Sequence, residues 1–219
     1  MIEICARLRG ADTTTLTGRQ TAAGWNSWQR AVRTSGLALA GILLAASAAA
    51  GIAQTHYQID PAKSQVNFSL KGFHNVEGHF AVSSGTITFD RTSGAMSGAV
   101  EVAAASANSG EPFRDKRIDK DEMKTKKFPS VTFVPTKFTG TLADSGTSPI
   151  QVQGTFTLLG NAHPITVPMT VDIHGTDCTA KGSFVVPYVE WGMKDPSNFM
   201  MHMEKQVTVQ LNFAGTLSK

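Results

Sequence analysis

Ile165 to Ile173 reads ITVPMTVDI, in which every second residue (Ile165, Val167, Met169, Val171, Ile173) is apolar, with Thr166, Thr170 and Asp172 among those between. Successive side chains of a strand point to opposite faces, so this spacing predicts a half-buried strand rather than a helix. The same two-residue period recurs on both sides. Upstream it carries Val66, Phe68 and Leu70; Ile87 and Phe89; Val100 and Val102; Val131 and Phe133; and Ile150, Val152, Phe156 and Leu158. Downstream it carries Val207, Val209, Leu211 and Phe213. Gly, Pro, Asn and Ser punctuate the runs. Seven to nine such strands, without helices alternating between them, predict an all-β antiparallel sandwich or barrel.

One stretch breaks the pattern. Glu111 to Lys127 (EPFRDKRIDKDEMKTKK) is dense in charge, has Pro112 at a first-turn position and stops before Phe128-Pro129. It predicts a short helix over 112–126, or a long loop, crossing one end of the β structure. Its acids, Asp115, Asp119, Asp121 and Glu122, alternate with Arg114, Lys116, Arg117 and Lys120, the pattern of a solvated helix supported by i,i+4 ion pairs. The functional alternative places Arg114 and Arg117 at a barrel mouth, gripping a pyrophosphate or carboxylate by bidentate contacts.

The first quarter of the 219-residue chain has a different composition. Arg30 and Arg33 precede the apolar run Leu37 to Ala50 (LALAGILLAASAAA), and small residues continue to Ala53. That is the layout of a cleaved secretory signal, and the run is shorter than the ~20 apolar residues of a spanning helix. The expected division is therefore 1–53 as signal peptide and leader and 54–219 as one domain, exported to the periplasm. Residues 54–219 hold fifteen basic and fifteen acidic side chains, so the net charge of +3 belongs to the leader. A neutral domain lacks the basic footprint of a nucleic-acid binder. Cys178 is its only cysteine, so no intrachain disulfide supports it.

No activated nucleophile, zinc-binding helix or phosphate loop is present among the motifs, and no enzyme is expected. His74 and His79 fall on opposite faces of a strand-like stretch, and His56, His163 and His174 stand singly near strand ends or turns, as surface or hydrogen-bonded residues. The run Phe199-Met200-Met201-His202-Met203, with Met193 nearby, offers soft donors suited to copper, an alternative to lining an apolar pocket. A third alternative is a structural β domain with a filled interior. An outer-membrane barrel is argued against by strand length, since membrane strands need about 9–11 residues and the apolar runs here mostly extend over five to eight.

Three segments resemble the YceI-like, polyisoprenoid-binding family. YQIDPAKSQVNFSLK has Tyr57, Ile59, Asp60, Ser64, Val66 and Phe68 in place, although Lys63 stands where that family often has His. Ser106 to Phe133 is similar to its charged helix and following strand, with Arg114-Asp115 and then KFPSVTF; VQGTFTLLGNAHPITVP (Val152 to Pro168) is similar to its hairpin. The resemblance implies an eight-stranded lipocalin-like barrel that stores or transports a long-chain isoprenoid or similar amphiphile in its interior. Strand parity assigns Val66, Phe68, Leu70, Ile87, Phe89, Val131, Phe133, Phe156, Leu158, Val167, Met169, Val171 and Phe184 to that interior, with Phe73, Phe113, Trp191, Phe199 and Met201 as lid contributors and Arg114 and Arg117 at the head group. The expected partner is the long-chain lipid itself, with no other cofactor and no nucleic acid. Transient membrane contact and a homodimer are both compatible with this reading.

Overall fold

A computed structural model describes residues 54–197 and 202–219. The proposed signal segment, Phe199, Met200 and Met201 lie outside the described residues. Nine strands follow in order: β1 (Gln54–Ile59), β2 (Gln65–Leu70), β3 (Val76–Asp90), β4 (Met96–Ala103), β5 (Ser130–Gly140), β6 (Gly146–Leu158), β7 (Asn161–His174), β8 (Asp177–Val186) and β9 (Val207–Ser218). Each pairs antiparallel with its neighbours, and β9 returns to pair with both β1 and β2. The sheet thus closes into a barrel.

β1 and β2 are two halves of one stave. β1 lies between Thr86–Asp90 of β3 and Gly215–Ser218 of β9, while β2 lies between Val76–Ala81 and Thr208–Asn212 of the same two strands. The barrel is therefore eight-stranded. The break is a single 3-10 turn, Pro61–Lys63, begun by Asp60, whose carboxylate accepts from the Ala62 N–H at 3.0 Å. Ser64 repairs the ladder across the break, because its hydroxyl accepts from the Ala214 N–H at 3.0 Å and donates to the Ala214 carbonyl at 3.2 Å.

The hairpins follow their turn residues. β6 and β7 are joined by Leu159 and Gly160, both at positive φ (50° and 77°), as a tight turn matching the strand twist requires. Gly154, in mid-strand, is needed for a different reason: a Cβ there would lie 2.6 Å from the Phe133 ring and 2.5 Å from the Val134 carbonyl oxygen. The charged segment forms one six-residue helix, α1 (Pro112–Arg117), capped by the Glu111 carboxylate, and passes straight into a π-helical turn, Ile118–Glu122. Together they lie against the barrel end where Leu70, Val102, Val131, Leu158, Val186 and Val207 gather.

Two expectations need correction. The strands are longer than the apolar runs suggested, reaching fifteen residues in β3 and fourteen in β7, so length does not argue against a membrane barrel. The direction of the apolar face does. Val167, Met169, Val171 and Ile173 are buried inside, while the outward positions of β7 and β8 carry exposed Thr166, Pro168, Thr170, Thr179, Lys181 and Ser183, and a membrane barrel needs an outward apolar band. Nor is the helical segment laced by i,i+4 ion pairs. Asp115 accepts from the backbone and hydroxyl of Ser109, Asp119 from the Thr125 hydroxyl, and Glu122 is buried.

Candidate functional site

The inward faces of the strands do not meet. They enclose a cavity of about 830 Å³, far larger than the water-sized gaps of a packed interior, with an almost wholly apolar lining. Val66, Phe68 and Leu70 of β2, Ile87 and Phe89 of β3, Val131 and Phe133 of β5, Phe156 and Leu158 of β6, Val167, Met169 and Val171 of β7 and Phe184 of β8 all line it, as their parity predicts. Aromatic pairs shape the wall: Phe68 and Phe80 stand 5.3 Å apart, and Phe156 meets Phe184 edge-on at 5.5 Å.

One end is stoppered. Phe89 and Phe138 meet edge-on there at 6.1 Å, and Arg91 stands 5.7 Å from the centre of the Phe89 ring while donating to the Ala143 carbonyl at 2.9 Å and pairing with Asp144 at 3.3 Å. Tyr57 and Cys178 line the cavity toward this end, where the Tyr57 hydroxyl donates to the Cys178 carbonyl. Burial pushes the Cys178 thiol up to about 11 and raises the Tyr57 hydroxyl well above its ordinary range, so both stay protonated at neutral pH.

The other end carries the polar groups. Phe113, Arg114 and Arg117 of α1 line the opening, as do His74 and Asn75 before β3 and Tyr188, Met193 and Pro196 after β8. Phe113 is nevertheless 86 % exposed, on the rim rather than within. Ile118, Glu122 and Met123 line the cavity from the π-helical turn and the residue after it. Glu122 is only 8 % exposed, and among the described residues neither of its carboxylate oxygens has a hydrogen-bond partner. Its nearest cation is the Arg117 Nε, 3.9 Å from Oε1. Desolvation raises its pKa against the opposing pull of Arg117 and Lys194.

Two lid assignments are corrected. Phe73 is 69 % exposed and does not line the cavity; it stacks edge-on against His74 at 4.7 Å. Trp191 does not itself line the cavity; it is stacked flat on His163 at 4.0 Å and tilted against the cavity-lining Phe156 at 5.9 Å. His163, expected at the surface or hydrogen-bonded, buries an Nε2 beneath that indole, with no hydrogen-bond partner among the described residues. The remaining lid residues, Phe199 and Met201, lie outside the described residues. Of the soft-donor run, Met193 and Met203 line the cavity and His202 is exposed. Among the described residues no three His, Cys, Asp or Glu side chains gather as metal ligands would.

Parity also missed contributors. Phe80 and Phe138 line the cavity although neither shares a parity with the inward residues read from its own strand. The register of β3 shifts between Val82 and Ser84, and that of β5 between Pro135 and Lys137, so each bulge moves the inward face by one residue. A strand of fifteen residues containing two separate alternations was the available signal.

The YceI-like domain model matches residues 57–214, from the first barrel strand to the last. The chain belongs to the YceI-like family. This YceI-like barrel is similar in fold to BcnA of Burkholderia cenocepacia (TM-score 0.58, 22 % identity, covering 74 % of this chain and 99 % of that one). It is similar also to a polyisoprenoid-binding domain from Saccharophagus degradans implicated in plant cell wall breakdown (TM-score 0.59, 15 % identity, 74 % and 98 % covered). A third relative in fold is the YceI protein of Campylobacter jejuni (TM-score 0.53, 19 % identity, 67 % and 88 % covered). No functionally curated protein matches the chain in sequence.

Proposed function

We propose that this YceI-like protein binds a long-chain isoprenoid or similar amphiphilic lipid inside the barrel, and that it stores or carries this lipid in the periplasm after export, without catalysing a reaction. The observation that carries the reading is the apolar cavity of about 830 Å³, stoppered at one end and rimmed by polar groups at the other. At the roughly 30 Å³ that a water-sized group occupies in a liquid, the cavity accommodates on the order of 25 methylene-sized groups. Burial of each is worth about 0.8 kcal/mol, which together exceeds the several kcal/mol lost in ordering a flexible chain. A filled structural domain would not keep such a void. The similarity in fold to a domain described as polyisoprenoid-binding supports the same ligand class.

Native mass spectrometry of the protein recovered from its own periplasm, followed by organic extraction, tests the reading. Near-stoichiometric lipid is expected. Protein that is recovered empty, and that takes up no isoprenoid after delipidation and refilling, would refute it.

A further inference from the structure

Glu122 ends a π-helical turn, in which the Met123 N–H donates to the Ile118 carbonyl five residues back at 2.8 Å. Such single turns are rare and concentrate at functional sites, because the extra residue re-aims the side chains beside it. Here Ile118, Glu122 and Met123 all line the cavity, and Glu122 presents two buried oxygens that no described protein group satisfies. Arg117, at 3.9 Å, stands beyond hydrogen-bond length. The neighbouring Tyr188 hydroxyl already donates its one proton to the Glu204 carbonyl at 2.8 Å. A buried acceptor left in this state is costly, and a ligand that brings a donor removes the cost.

We infer that Glu122 is the anchor for the lipid head, and that it selects a long isoprenoid ending in an uncharged hydroxyl over one ending in a phosphate. This inference rests on the lipid-cavity reading above. The hydroxyl donates to a Glu122 oxygen at the inner edge of the mouth, and the Arg117 guanidinium faces the same carboxylate from the other side. A phosphate brought to the same depth is desolvated beside Glu122, with Asp121 as a second like charge, and the cations there, Arg117, Lys194 and Lys124, already act on the Glu122 carboxylate. On this reading Arg117 serves the Glu122 carboxylate rather than a pyrophosphate.

The test uses delipidated protein comprising residues 54–219, as wild type, Glu122→Gln and Glu122→Leu, with displacement of a fluorescent lipid as readout. Three probes share a chain of about five isoprene units, the length that fits the cavity: the alcohol, its monophosphate and the parent hydrocarbon. The wild type is expected to bind the alcohol about tenfold more tightly than either of the others. Glu122→Gln, which still offers an acceptor, keeps that preference within a few-fold; Glu122→Leu binds alcohol and hydrocarbon alike, its uptake of hydrocarbon showing that it is folded. A wild type that favours the phosphate, or a Leu variant that keeps the alcohol preference, overturns the assignment. Equal binding of all three probes by the wild type removes the head-group inference and leaves the carrier standing, whereas binding of none removes both.

Discussion

Glu122 has a consequence for stability as well as for binding. Its carboxyl pKa is raised in the folded protein, chiefly by desolvation, so the native state binds more protons than the unfolded chain. Stability therefore falls as pH rises from the ordinary value of 4.5 through the raised one, and the full penalty persists above it. Glu122→Gln removes this falling limb. In the empty barrel, its melting temperature is expected to lie above that of the wild type at pH 7, with the gap closing below pH 4.5; an unchanged gap across that range in thermal melts would contradict the assignment. Two adjacent positions on β7 test the inward face in the same manner. Val171 is buried in the cavity wall, and an aspartate there should cost several kcal/mol or abolish lipid retention. Thr170, exposed and paired with Lys181 of β8, should accept aspartate within about 0.5 kcal/mol. Denaturant titration of both variants distinguishes them.

At the scale of elements, the broken stave β1/β2 depends on Ser64. Its hydroxyl replaces the backbone groups that the Pro61–Lys63 turn removes from the ladder, and its residue is 8 % exposed. Ser64→Ala leaves the Ala214 N–H without that acceptor and should lower unfolding free energy by about 1–3 kcal/mol in urea titration; a neutral substitution would show that water repairs the seam. This pairing also explains a motif position that sequence alone showed as a resemblance without a cause. Elements with one uninterrupted alternation, β2 and β7, were legible in the face they bury. β3 and β5 were legible only up to their bulges, because pairing with a neighbouring strand, not local composition, decides where an extra residue is inserted. The segment DKRIDKDEM read as solvated since charge density is a local signal, whereas the burial of Glu122 depends on a π-helical turn and on the barrel end packed over it. The stacking of Trp191 on His163 was illegible for a similar reason: the two residues are distant in sequence.

For the whole molecule, the cavity makes stability a function of its contents. A ligand that binds only the folded barrel adds about 2.7 kcal/mol at a hundredfold excess over Kd. Delipidated protein should therefore melt at a lower temperature than protein as isolated, and refilling with isoprenoid should restore the difference; scanning calorimetry before and after extraction checks this, and identical melting curves would count against an occupied barrel. The closure of β9 onto β1 and β2 bears on the order of events during folding. The first stave finds one of its two neighbours only in the last twelve-residue strand, Val207–Ser218, so the contact that completes the ring spans nearly the whole domain. Such distant pairing is slow, because loop entropy is spent before the contact forms. A chain emerging from its amino end cannot seal the ring until its final residues arrive, and the unsealed sheet keeps two open edges until then. Under the export proposed above, late sealing would suit passage across a membrane in the unfolded state, since it delays the committed structure until translocation is almost finished.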